Sequence, residues 1–270
     1  MRYDAESMNT ILVVLAHPDD ETFIFGGTIA KYSKLGFPVD LLILTSEHSN
    51  KKNTELRDAT KILGVRDLHQ FNYFPTPIDK DSEVQGEITL SKVGVESVAA
   101  EIETIIGIIK PGIVLSFDPT GVYGHPDHII SNQSTRIALQ RYIRIDSLVS
   151  LYEISFARNL ISIVAYAELS LQNLFPRIYL ESKYSFLIDK LKLLPPITTK
   201  IDISSSLKVR QGAVKAHFSS LEAGPWYLRM FEKSPHYLRK LIAHKENFVR
   251  VYPEQTDFDD SSKFVGLYRN

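Results

Sequence analysis

The chain contains no cysteine. That single absence removes disulfide frameworks, thiolate nucleophiles and Cys-ligated zinc fingers, so any metal has to be held by His, Asp, Glu or water. An excess of one charge is also missing. Lys and Arg total 31 against 32 Asp and Glu, with no block of like charges, which leaves no electrostatic footprint for a nucleic acid or an anionic membrane. Long hydrophobic runs are lacking too. The most apolar segment, residues 160–171, is shorter than a bilayer span and carries Glu168, so no transmembrane segment is expected. Residues 1–10 mix charges without an apolar stretch before a cleavage site, so no signal peptide is expected and the cytoplasm is the expected compartment. There is no internal repeat and no low-complexity linker. At 270 residues the chain can bury a full core unaided, and a single domain over 1–270 is expected.

What is present alternates. Residues 11–16 (ILVVLA) are continuously apolar and β-branched, the signature of a strand buried on both faces of a parallel sheet. The run stops at His17-Pro18-Asp19-Asp20, and a helical pattern follows over 20–32, closed by Gly36. Residues 39–45 (VDLLILT) repeat the strand signal, 56–63 read as a helix ending at Gly64, and 68–73 as a shorter strand. A helix over 92–110 ends at Pro111-Gly112. The strand 113–117 (IVLSF), a polar loop over 118–127 and a helix over 127–141 come next. Further on, 148–155 and 198–203 read as strands and 206–219 as a helix, while 159–196 carry no clear period. Strands alternating with helices predict a Rossmann-like α/β fold, a mostly parallel central sheet with helices on both faces. Right-handed crossovers then bring the ends of the first and fourth strands to one sheet edge.

Two polar clusters fall at those ends: His17-Pro18-Asp19-Asp20-Glu21 and Gly124-His125-Pro126-Asp127-His128. Either alone is also what a capped turn looks like. Together, at the edge where open α/β sheets bind ligands, they point to chemistry. His17 and Asp20 lie three apart at a strand-to-helix turn and can converge, and His128 can add a third ligand from the opposing loop. Two His and one carboxylate with an open position is the ligand set of a catalytic zinc site, which makes a nucleophile from water at neutral pH. Asp19 is placed to take the water's proton, and His125 to donate to the oxyanion or the leaving nitrogen.

AHPDDE at 16–21 with GHPDH at 124–128 closely resembles the PIG-L/LmbE-like family of zinc N-deacetylases. The likeness continues through Thr45-Ser46-Glu47, Glu55-Leu56-Arg57, Leu63-Gly64-Val65, the loop 118–128, Tyr152-Glu153 and Lys215-Ala216-His217. The resemblance implies one zinc held by His17, Asp20 and His128, with Asp19 as general base and His125 stabilising the oxyanion. It further implies a role for Tyr123 at the reacting carbonyl and for Arg57 at the substrate pocket. Family substrates are N-acetylglucosamine conjugates such as glycolipids and precursors of low-molecular-weight thiols. Small-molecule N-acyl amino sugars are therefore the expected partners, and a homo-oligomer is compatible with the sequence. The chain departs from the family pattern at Thr76, where relatives often carry Asp, at Thr45-Ser46-Glu47-His48, and at His217-Phe218-Ser219-Ser220. These positions belong to pocket walls rather than to the metal.

Two other readings are open. One is an amidase acting on a thiol conjugate or another non-sugar amide; the other is a metal-containing binding module without turnover, against which the intact Asp19 argues. Glu21 reads as a helix-start carboxylate favoured by the dipole, and Gly26-Gly27 as a close packing point inside a helix. Asp118 reads as a turn residue or a partner orienting a histidine, and Trp226, Tyr227 and Phe231 as one packed helix face. His48, His69, His236 and His244 lack partners at ligand spacing and read as surface or packing residues.

Overall fold

The computed structural model describes residues 9–47, 50–77, 86–143, 149–155, 195–224, 226–254 and 263–264. In the first half one or two helices separate each strand from the next. The chain runs β1 (Ile11–Leu15), α1 (Asp20–Phe23), α2 (Gly26–Lys34), β2 (Val39–Thr45), α3 (Asn50–Leu63) and β3 (Asp67–Tyr73). Next come α4 (Leu90–Val93), α5 (Val95–Ile109), β4 (Ile113–Ser116), α6 (Gly121–Gly124), α7 (Pro126–Ile143) and β5 (Ser150–Ile154). After β6 (Thr199–Asp202) lie α8 (Leu207–Ala216), α9 (Phe218–Ala223), α10 (Trp226–Lys233), α11 (His236–Ile242) and β7 (Lys245–Tyr252).

The strands form one seven-stranded sheet in the order β3-β2-β1-β4-β5-β7-β6. Every pairing from β3 to β5 is parallel, and β7 runs antiparallel to both β5 and β6. The fold is the mostly parallel α/β arrangement that the alternation predicts. The pleat divides each buried run between two cores. Ile11, Val13, Leu15, Leu41, Ile43, Ile113 and Leu115 share a core with α2, α3 and α8. Leu12, Val14, Leu42, Leu44 and Val114 face the opposite core, built with α5 and α7. Strands covered on both faces need no polar alternation, which is why β1 and β2 read as unbroken apolar runs. The edge strand β3 is only partly buried. Strand order reverses between β1 and β4, so the loops after these two strands open a crevice between them.

Three predicted helices turn out interrupted. The helix expected over 20–32 breaks at Ile24–Phe25 because a carboxylate from β7 claims the next turn. Glu246, buried in the sheet, accepts the N–H groups of Gly27 and Thr28, each at 2.9 Å, and so caps α2 at its positive end. The helix expected over 92–110 is split by Gly94 at φ 87°. The helix expected over 206–219 ends at Ala216, where His217 takes φ −81°, ψ 55°. The sequence reading missed α11 and β7. The apolar segment 160–171, most of 159–196 and His48 lie outside the described residues, as do the side chains of Trp226 and Tyr227. No helix among the described residues is long and apolar enough to cross a membrane.

Gly27 makes the α2 cap feasible. A Cβ there would sit 2.7 Å from Glu246 Oε1 and 2.8 Å from Ile203 Cβ. Ile203 Cβ is fixed by its backbone just after β6, and the Glu246 carboxylate is tied to the Gly27 and Thr28 N–H groups, so neither gives way easily. Gly27→Ala is therefore expected to destabilise the fold by about 2 kcal/mol, lowering the melting temperature by roughly 5 °C. An unchanged melt would show that α2 can shift at no cost.

Candidate metal centre

The crevice is built from the two chain reversals. Ala16, the last residue before the turn after β1, has its carbonyl held by the Thr45 hydroxyl and N–H, at 2.8 and 3.0 Å. This fixes the point from which His17 leaves the sheet. On the other side the loop after β4 leads through α6 to α7, whose first turn presents Asp127 and His128. Two loops 111 residues apart thus face each other, with His17 Nδ1 3.3 Å from His128 Nε2. The carboxylate of Asp20 completes the group: Oδ1 lies 3.3 Å from His128 Nε2, and Oδ2 lies 3.5 Å from His17 Nδ1.

The tautomers follow from the other ring nitrogens. His17 Nε2 is 2.9 Å from Asp127 Oδ2; a carboxylate only accepts, so Nε2 carries the proton and Nδ1 presents a lone pair. His128 Nδ1 is 3.2 Å from the Gly121 carbonyl, so Nε2 presents its lone pair. Two lone pairs and an anionic oxygen then point at one another, an arrangement that repels unless a cation lies between them. Tetrahedral ligands at about 2.0–2.1 Å from zinc lie about 3.4 Å apart, and the three separations match. The donor set fits a metal ion. Asp127, wholly buried and also accepting the Thr76 N–H at 2.7 Å, orients the His17 ring as carboxylates behind metal-binding histidines do. Phe117 stacks on the His128 ring, with centroids 4.1 Å apart and planes 4° apart.

His125 joins the same group. Ring nitrogens of His17, His125 and His128 lie within 4.8 Å of one another and could hold a metal ion. Its Nδ1, however, accepts the Asp127 N–H at 3.2 Å, so a neutral His125 carries its proton on Nε2 and acts as a donor. Burial, together with the neighbouring His17 and His128, pushes its pKa down to about 4. For His17 burial opposes the charge, but hydrogen bonds to Asp127 and Asp20 outweigh it and raise the pKa to about 10, so Nδ1 takes up a proton wherever a metal ion does not claim its lone pair. The negative field that keeps a proton there is equally a field for a cation. Asp20 is buried, yet the charge of His128 and hydrogen bonds to both histidines hold its carboxyl well below the usual range. Burial and the adjacent Asp20 charge push Asp19 up to about 7.

Tyr123 stands at the rim, 46% exposed, with its ring edge-on to His128 at 5.2 Å and to His125 at 5.9 Å. Burial first, then Asp20 and Asp19, push its phenol upward. Arg57 is exposed on α3, two residues and so about 200° of helical turn from Glu55, whose carboxylate reaches Ser219. Asp118 accepts the Thr120 N–H at 2.6 Å as a turn residue. Three buried groups escaped the sequence reading. In sequence Asp127 stands out only as a member of the GHPDH cluster at a helix start, Glu21 as a dipole partner, and His217 only through the family pattern. Glu21 and His217 lie 2.5 Å apart, Oε1 to Nε2, beside Asp19. A carboxylate next to a metal-ligand His motif was the one available signal for Asp127.

Fold and site define a Rossmann-like α/β protein with a candidate metal centre at the point where strand order reverses. Comparison with known proteins is more specific. Residues 12–139 match the family model described as PIG-L, GlcNAc-PI de-N-acetylase. The 1D-myo-inositol 2-acetamido-2-deoxy-alpha-D-glucopyranoside deacetylase of Nocardiopsis dassonvillei is 33% identical over 159 residues, 49% of this chain and 55% of that protein. The enzyme of the same description from Saccharomonospora viridis is 27% identical over 246 residues, 80% of this chain and 86% of its own. The chain thus spans about half the length of the first of these relatives. Among solved structures, N,N'-diacetylchitobiose deacetylase from Pyrococcus horikoshii superposes with a TM-score of 0.58 at 17% identity, over 93% of this chain and 88% of that one. At that identity the match speaks to the fold.

Proposed function

We propose that this chain is a zinc-dependent hydrolase that removes an N-acyl group, foremost N-acetyl, from an amino-sugar conjugate, and that residues 1–270 form one domain. One observation carries the reading: His17 Nδ1, His128 Nε2 and the Asp20 carboxylate converge at 3.3–3.5 Å with their lone pairs inward. The kinship of residues 12–139 and the names of the relatives supply the substrate class.

In this reading His17, Asp20 and His128 hold the zinc. When bound, zinc supplies a Lewis acid and acidifies water to a pKa of about 7. Asp19 takes the proton of the attacking water and returns it to the departing amine. His125, kept neutral by burial and by the positive charge of the centre beside it, donates its Nε2–H to the oxygen on which charge develops. Tyr123, at the rim above both histidines, offers its hydroxyl to the same carbonyl oxygen. Asp127 keeps the His17 ring in the tautomer that leaves Nδ1 free.

A second reading, hydrolysis of a non-sugar amide, is favoured by Thr76. Its hydroxyl accepts the Ser91 N–H at 3.1 Å, and toward the centre it offers only its N–H and hydroxyl, both to Asp127. The wall therefore offers no carboxylate at that position for sugar hydroxyls. The test is acetate release by the zinc-loaded chain from N-acetylglucosaminyl conjugates and from simple N-acyl amides, measured side by side. Faster turnover of the glucosaminyl conjugates is expected. A reversed preference would move the assignment to the amidase, and no release from either panel would sink hydrolysis.

A further inference from the structure

Asp19 adopts φ 123°, ψ −27°, a conformation that costs any residue but Gly. Such a backbone persists only where its surroundings over-determine it. On one side the Asp19 carbonyl accepts the N–H groups of Thr22 and Phe23, at 2.9 and 3.0 Å, and starts α1. On the other, the Asp19 N–H donates to Glu21 Oε2 at 2.9 Å. Glu21 is fully buried, and its second oxygen accepts the Thr22 hydroxyl at 2.6 Å and the His217 Nε2–H at 2.5 Å.

His217 is itself anchored. It is 1% exposed and occupies the break between α8 and α9, with its N–H on the Ala213 carbonyl at 3.2 Å. Two residues on, Ser219 is held through its N–H and hydroxyl by the buried carboxylate of Glu55 on α3. A buried ion pair gains little stability over apolar side chains of the same volume. This one, joining residues 196 apart in sequence, ends on the N–H of the strained residue.

We propose that Glu21 and His217 are positioning residues: the pair locks the Asp19 backbone at its positive φ and so keeps the Asp19 carboxylate beside Asp20 and His17. The role rests on the reading of Asp19 as the base, but the lock itself can be tested without turnover. Asp19→Gly and Asp19→Ala both delete the carboxylate, so their difference reports the backbone alone. Ordinarily Ala gives the more stable protein. Here Asp19→Gly is expected to melt about 2–4 °C above Asp19→Ala, and the gap is expected to close when Glu21→Ala is added to both. Should Glu21→Ala fail to fold, His217→Ala serves in the same cycle.

In the zinc-loaded enzyme, Glu21→Ala and His217→Ala are expected to lower kcat about 100-fold, the scale of a misplaced group, with KM and metal content unchanged. Glu21→Gln, which keeps an acceptor for the Asp19 N–H, restores most of the rate. Equal melting of Asp19→Gly and Asp19→Ala, or a gap that survives loss of Glu21, overturns the lock. A lowered melting temperature with unchanged kcat in both alanine variants makes the pair purely structural and overturns it too. A wild-type chain without turnover counts against the hydrolase reading alone, and the melting cycle then decides the lock by itself.

Discussion

Asp19→Asn is expected to lower the rate of amide hydrolysis about 10³-fold, within the 10²–10⁴ range of a lost general base, while metal content and melting temperature stay at wild-type values. The asparagine amide has the shape of the carboxylate but no basic oxygen, so proton transfer stops and packing does not change. Asn also tolerates a positive φ better than most residues, so the backbone at φ 123° survives the substitution. Asp19 is not one of the three groups whose atoms converge at 3.3–3.5 Å; those are His17, Asp20 and His128. Zinc per chain by elemental analysis, with initial rates on the same preparation, separates the two effects. Full metal with a rate within tenfold of wild type would assign the base elsewhere. Loss of metal would make Asp19 a ligand. A rate loss at full occupancy also excludes a binding module without turnover, since an inert site has no rate to lose.

The parts of the fold legible in the sequence are those where one physical demand dominates. β1, β2 and β4 are covered on both faces, so burial alone dictates ILVVL, VDLLILT and IVLS, and the runs announce themselves. β7 is different. Its KENFVRVY intersperses charges among apolar residues, and Glu246 is buried because it caps α2 from across the molecule. No local pattern encodes a carboxylate whose partners lie 218 and 219 residues away. The interrupted helices follow the same logic. At Phe25 the helix ends because a distant carboxylate, Glu246, takes the N–H groups of the next turn, and at His217 the break coincides with the ring reaching the distant Glu21. Only the break at Gly94 had a local sign, in a residue free to take φ 87°.

The site divides similarly. His17, Asp20 and His128 are spaced so that one turn and one helix start can present them, and their convergence needed only the parallel topology. The supports behind them were not legible. Asp127 looks like any first-turn acid until the His17 Nε2 is found 2.9 Å away. Glu21 looks like a dipole partner until His217 arrives from the far end of the chain. Arg57, singled out through family resemblance alone, is an exposed residue of α3.

His128→Ala is expected to remove metal and activity together. The substitution leaves His17 and Asp20, which also contact each other across one turn, as a two-ligand site. Binding free energies of about 10–16 kcal/mol shared over four ligands put one ligand at roughly 3 kcal/mol, a drop of more than 100-fold in affinity. That is enough to strip metal during purification. His128 is fully buried and stacked on Phe117, so alanine also opens a cavity, and some loss of melting temperature accompanies the loss of metal. His128→Gln fills most of that space with a poor ligand and separates the two causes: it is expected to melt closer to wild type yet still lack metal. Near-stoichiometric zinc in either variant would remove His128 from the ligand set. The three-histidine alternative, with His125 beside His17, would then have to supply the site, and His125→Ala would be the variant that loses the ion.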